Sequence, residues 1–424
     1  MRHEPGLKED AKNLSVVAGS AALAALLTIG FIAARTTAEP IRDIRPVVVE
    51  VEVQPVVMEP VAKVEPAPRA PLTGIDRIYG TVTTVHGTEF TGFIRWDRNE
   101  GSWTDLLDAL KPRHRGGSSI SGIRFGHVAH LEVLDRDAAL LTLRNGEQIE
   151  LNGNASDLGS GLRALIVTEA DGSQAEFEWR DLQTIDFESA GSTSPLEQRL
   201  HGTVTTQSGL EFTGYVTWDV DEIYSTDVLD GDSDGTRMEI RFGDIASIER
   251  YASWGSRVTL SDGRTYVLEG TNDVDASISG IEVSDATLGS VKLDWRSFDK
   301  VRFHEPSGDV SDANFDGGST IRGTVISLDG YQREGEIVWD DDERFTWEML
   351  NGELDGIEFH IEFGNIYHIE RVGDGAVVTL RDGRSFELSN SNDVDRGNRG
   401  ITIRTDGRDY DVRWSDFAEA VFPR

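Results

Sequence analysis

From Arg77 to the end of the chain, apolar and polar residues alternate in short runs broken by glycine turns. VTTQSGLEFTGYVTW alternates around Gly209, VTLSDGRTYVL around Asp262 and Gly263, and VTLRDGRSFEL around Asp382 and Gly383. A period of two sends successive side chains to opposite faces of a strand, and a Gly turn between two such runs predicts a hairpin. No stretch beyond residue 74 keeps a helical period for longer than a turn or two. The pattern therefore predicts an all-β fold.

The pattern is written three times, over residues 77–188, 199–305 and 321–424. The openings align as YGTVTTVHGTEFTGFIRWD, HGTVTTQSGLEFTGYVTWD and RGTVISLDGYQREGEIVWD. GIRFGHVAHLE, EIRFGDIASIE and HIEFGNIYHIE follow, and FEWRDLQTIDF, LDWRSFDKVRF and VRWSDFAEAVF close the copies. A repeat of this kind decides the architecture before any single motif does. ESAGSTSPLEQ and EPSGDVSDANFDGGST stand between copies and read as short polar linkers. They argue against a six-bladed propeller, whose blades would follow one another without such joints.

A second duplication lies inside the first. In the second copy, VTTQSGLEFTGYV followed by EIRFGDIASIE is echoed by VTLSDGRTYVL followed by VKLDWRSFDKVRF. Each repeat is thus expected to be a pair of half-units, each of a size that folds only marginally when isolated, and packed as partners. The first half-unit resembles the Sm-like small barrel, of the wider SH3-like type. Val204, Gly209, Gly214 and Asp219 match its first motif, and Ile240, Arg241, Gly243, Ile245 and Ile248 its second. The resemblance implies a pair of small barrels per repeat. That family reads RNA bases with an Asn after the Asp; Asp221, Glu222 and Ile223 stand there instead, so RNA binding is not carried over.

Ahead of the repeats lie a tail over residues 1–13, an uncharged apolar run from Leu14 to Ala34, and a Pro-, Val- and Glu-rich segment over residues 39–73. The apolar run is long enough to cross a ~30 Å hydrocarbon core as a transmembrane helix. It reads as a membrane anchor or a signal peptide, and its length favours the anchor. The proline-rich segment predicts an extended spacer, with a reach of about 100 Å at ~3.1 Å per residue. The repeats are expected outside the cytoplasm, in the periplasm or at the cell surface, and secreted if the apolar run is cleaved.

Charge and composition narrow the function. A net charge of -34 opposes the counterion release that drives nucleic-acid binding, which argues against nucleic acid as a partner. The chain has no cysteine, which excludes disulfides, thiolate catalysis and Cys-based metal sites. No Ser, His and Asp constellation recurs, and no carboxylate pair stands out for glycoside hydrolysis. His127 and His130, three apart, read as surface residues of a variable turn, and KPRHRGG from Lys111 as a basic loop.

The recurring chemistry is acidic. WDRNEGSWTDLLDA, WDVDEIYSTDVLDG and WDDDERFTWEMLNG place oxygen donors at matching positions. Hard cations bind through such oxygens, and exchange among Asp, Asn and Glu keeps the ligand type. Calcium candidates are Asp97 and Glu100; Asp219, Asp221, Glu222 and Asp227; and Asp340, Asp342 and Glu343. A second loop, TNDVD and SNDVD, adds Asp273, Asp275, Asp393 and Asp395. The alternative is that these acids cap turns and need no ligand. Trp96, Trp218 and Trp339, with Trp179, Trp295 and Trp414, fall on the inward phase of the alternation and read as core. Trp103, Trp254 and Trp347 lie outside it and are the expected surface contacts for a partner or glycan.

These features point to a non-catalytic, membrane-tethered β-repeat protein of the cell envelope, acting as a binding or structural scaffold without a cofactor. The alternatives are a calcium- or glycan-binding module and a hydrolase.

Overall fold

The computed structural model describes residues 74–423, apart from 113–117, 154–156 and 309. The Leu14–Ala34 segment, the spacer, Asn154 and most of the basic insert lie outside the described residues. All the described residues belong to one compact unit, Glu65–Arg424.

The first repeat forms β1 (Tyr79–Thr84), β2 (Glu89–Trp96), β3 (Leu106–Pro112), β4 (Ser118–Arg124) and β5 (Val128–Val133). It continues with β6 (Ala138–Leu143), β7 (Gln148–Asn152), β8 (Leu165–Glu169), β9 (Gln174–Phe177) and β10 (Leu182–Phe187). Hydrogen-bonded neighbours run β4, β3, β7, β6, β5, β10, β1, β2, β8, β9. Exchanging the first five strands for the last five reverses this order, so the internal duplication is a twofold relation within the sheet.

The two halves are intertwined. β5 turns through residues 134–137 into β6, with Val133 opposite Ala139, while β1 pairs with β10, Val82 opposite Ile185. β2 then continues into β8, and β7 into β3. The hairpins β3–β4 and β8–β9 are in effect traded between halves. A short connection closes at a lower entropy cost than a long one, which favours β5 against β6 over β5 against β1. A register shift between Val128 and His130 recurs at Ile245/Ser247 and Ile366/His368, bending the same strand in every repeat.

The alternation read in the sequence is the burial pattern. β1 buries every second residue, and Trp96, Trp218 and Trp339 are wholly enclosed. Burying an aromatic of this size is worth roughly 3 to 5 kcal/mol against alanine.

The repeats join in two different ways. Strand Gly289–Leu293 of the second repeat pairs with Ile357–Glu362 of the third, setting Val291 opposite Phe359, and one sheet runs through both. A Cβ on Gly289, at φ 141°, would meet the His360 carbonyl oxygen at 1.9 Å. Ser173 and Arg408 occupy this position in the other repeats, so only the second has an edge bare enough for a neighbour's backbone.

The first repeat attaches through side chains. Trp347 of the third repeat and Phe315 of the preceding linker belong to its hydrophobic core. Phe315 lies against Gly126, where a Cβ would meet its ring at 2.1 Å, and edge-on to His127 at 5.0 Å. The linker expected as a polar joint is therefore partly seated. Toward the second repeat, the Arg77 guanidinium lies 4.0 Å from the Tyr224 ring centroid.

Candidate functional site

Each WD stretch is a turn. Asp97, Asp219 and Asp340 take positive φ of 40°, 48° and 47°, followed by Arg98, Val220 and Asp341 at 69°, 63° and 70°. Aspartate tolerates this left-handed backbone better than most residues. The turn aims each carboxylate at the loop leading into β8 or its counterpart. Asp97 accepts from the Arg163 backbone N–H at 2.5 Å and from its Nε at 2.9 Å. Asp219 accepts from the Ser279 N–H at 2.5 Å and from the Asn272 amide. Asp340 accepts from the backbone and guanidinium of Arg399 and from the Asn392 amide.

Asp273 and Asp393, with Asp157 in the first repeat, hold the same turn from the other side. Their carbonyls accept the indole N–H of Trp218, Trp339 and Trp96 at 2.8, 2.8 and 2.7 Å. Their carboxylates accept the backbone N–H of Asp230, Asn351 and Asp108 at 2.7, 2.6 and 2.8 Å. Asp275 and Asp395 stand apart and cap local turns through the N–H of Ser277 and Gly397 at 2.8 and 2.6 Å.

The next recurring acid bridges repeats. Asp105 accepts from the N–H of Gly101 and Ser102, both at 2.8 Å, and from Arg199 Nη2 of the second repeat at 3.3 Å. Asp227 accepts from the N–H of Ile223 and Tyr224 at 2.8 and 2.9 Å and from Arg95 Nη1 of the first repeat at 3.1 Å. Glu348 accepts from the N–H of Arg344 and of Phe345 and from Lys111 of the first repeat. Lys111 also donates to the Asp342 carbonyl at 2.7 Å, and the Asp342 carboxylate accepts from Arg399 at 2.5 Å.

Glu100, Glu222 and Glu343 sit behind these turns. Burial raises all three carboxyls above the usual range, and neighbouring acids raise them further; Glu222 reaches about 9. Among the described residues, three carboxylates converge within 4.8 Å at Asp219, Asp221 and Glu222, and at Asp340, Glu343 and Asp393. Arg399 already serves as the cation in the third repeat, and Arg163 engages Asp97 in the first. Ser279 stands at this position in the second. Asp219, Asp221 and Glu222 are thus the group whose oxygens could take a hard cation.

The three tryptophans expected at the surface divide. Trp254 is 48% exposed and meets Tyr251 edge-on at 5.4 Å on one hairpin. Trp103 and Trp347 are buried, contrary to expectation, because both belong to the hydrophobic core of the first repeat, which Trp347 enters from the third. Trp103 donates its indole N–H to the Ile75 carbonyl at 3.0 Å, and Trp347 stacks on Phe345 at 5.7 Å. His127 is also buried, against its reading as a surface residue, and faces Glu362 at 3.4 Å. His130 does lie toward solvent, 2.6 Å from Asp186.

Sequence reasoning missed a chamber of about 400 Å³ where all three repeats meet, walled by Glu100, Asp108, Glu282, Lys292, Glu343 and His360 among others. Glu282, Lys292 and Glu358 form a cross-strand row over the shared sheet. His360 Nδ1 lies 2.7 Å from Asn351 Oδ1. Burial, then the Glu282 charge, raises Asp108 to about 6; burial also raises Glu282 and lowers His360. The available signal was a charged residue inside an otherwise apolar strand end, Lys292 in VKL and His360 in FHI. Comparison with family models, curated proteins and solved structures finds no match to this chain.

Proposed function

We propose that this protein is a non-catalytic binding or structural scaffold of the cell envelope, tethered through Leu14–Ala34, whose β repeats act as one interlocked module. The observation that carries this is the shared use of Asp105, Asp227 and Glu348. Each sits at the same repeat position, and each holds a turn and a cation from another repeat. Carboxylates spent in this way specify an assembly, and these three are not available as acid or base at a reacting centre. The exposed Tyr251 and Trp254 pair is the candidate contact for an envelope protein or glycan, since aromatic residues dominate binding hot spots.

The cysteine-free chain gives a direct test. Leu196 is 69% exposed, and Leu196→Cys in the full-length protein places a single thiol in the linker between the first and second repeats. Labelling by a membrane-impermeant maleimide in intact cells is expected, with the labelled chain in the membrane fraction. Labelling only after lysis overturns the envelope placement.

A second function is favoured by Ser279 alone. With no arginine at that position, Asp219, Asp221 and Glu222 are the place for calcium, and calcium is expected to raise the melting temperature of the full-length protein. Asp221→Asn abolishes that shift if the site is there; an unchanged shift overturns it.

A further inference from the structure

The scaffold role makes no use of the chamber where the three repeats meet. Its walls come from the β3–β4 hairpin, from Ile281–Asp285 and Gly289–Leu293, and from Met349–Leu354 and Ile357–Glu362. Glu100 and Glu343, which line it, are 7% and 6% exposed, and Oε2 of each has no hydrogen-bond partner. A carboxyl in that position has given up water without gaining a donor, which is unfavourable until one arrives. Asp108 and Glu282 add two further acids, while Lys292 lies in register between Glu282 and Glu358. One ammonium group of the chain is therefore already set between carboxylates on this face, and acids still outnumber it.

The spacing of the acids selects the kind of cation. Glu343 converges within 4.8 Å with Asp340 and Asp393 outside the chamber, where Arg399 already pairs with Asp340. Among the described residues, no three of Glu100, Asp108, Glu282 and Glu358 come that close, so a single metal ion would not gather the acids of the chamber. Leu106, Val220 and Met349 share the walls and offer apolar surface to methylene groups. Glu358 is exposed and marks the side open to solvent, and the net charge of -34 draws cations toward the protein. We infer that the chamber binds an organic oligoammonium, an aliphatic chain with two or more protonated amines, with Glu100 and Glu343 accepting from its N–H groups.

The test is calorimetric titration of the full-length protein, in detergent micelles, with spermidine and separately with calcium chloride. Saturable binding of one spermidine per chain is expected. Glu100→Gln and Glu343→Gln should each weaken it by about tenfold or more, the effect of losing a hydrogen bond to a charged group. Asp262→Asn, at an exposed turn, should leave it unchanged. Absence of binding at millimolar spermidine overturns the proposal, as does affinity that survives both Gln substitutions. Stoichiometric calcium binding that needs Glu343, without spermidine binding, overturns it in favour of a metal site. If either Gln variant fails to fold by circular dichroism, Asp108→Asn replaces it, with the same loss expected.

Discussion

Arg124 of the first repeat and Glu362 of the third lie 2.9 Å apart, although they occupy the same position in their repeats. Copies of one sequence have diverged to opposite charge there and pair with each other. The second copy carries Arg241, and no ion pair of its own is seen there among the described residues. The difference between copies is what tells the repeats apart.

Glu362→Ala leaves Arg124 buried without its counter-charge, and breaking a buried pair in this way costs about 3 to 5 kcal/mol. Replacing both with methionine removes the two charges together and should return most of that loss. Urea unfolding of the full-length single and double variants checks the contrast. A double variant as unstable as the single would mean that packing, and not charge, holds this junction.

Gly289→Ser copies the residue of the first repeat into the second. The added Cβ runs into the His360 carbonyl at a φ of 141°, and strain in such a backbone region costs about 1 to 3 kcal/mol before any clash. Hydrogen exchange should show Ile357–Glu362 losing protection, with the first repeat unaffected. Unchanged protection there would remove the glycine from the account of the joint.

Stability should fall as the medium becomes more alkaline. Burial holds Asp108 and Asp340 at about 6, Asp393 at about 7 and Glu222 at about 9, all above their ordinary values. The folded chain therefore keeps protons that the unfolded chain releases. This contribution is full below the unfolded carboxyl range and is lost as pH rises through the folded values. Calorimetry should give a melting temperature a few degrees lower near pH 8 than near pH 5. A rise over that interval would contradict the raised carboxyls.

Trp347→Ala removes a buried ring shared with the first repeat and should cost about 3 to 5 kcal/mol. Trp254→Ala lies on an exposed hairpin and should stay within about 0.5 kcal/mol of the parent. If the Tyr251 and Trp254 pair is a contact surface, the second substitution should instead abolish cross-linking to envelope partners. Cross-linking left intact would move the contact elsewhere.

Strand positions, turn glycines, the threefold repeat and the twofold within it were all legible in the sequence, because each rests on local periodicity. Side chains alternate within a strand and a Gly turn closes a hairpin regardless of what lies elsewhere. The tryptophans at the end of the second strand of each repeat were legible as core for the same reason. What the carboxylates do was not. Asp105 and Arg199, Asp227 and Arg95, and Glu348 and Lys111 meet only because repeats far apart in the chain are folded against one another. The exchange of hairpins between halves, the backbone joint at Gly289 and the burial of Trp103 and Trp347 were equally out of reach. Periodicity determines which face of a strand is apolar; which strand edge finds which neighbour is decided by closure entropy, by the one edge bare enough to pair, and by charges that differ between otherwise similar copies.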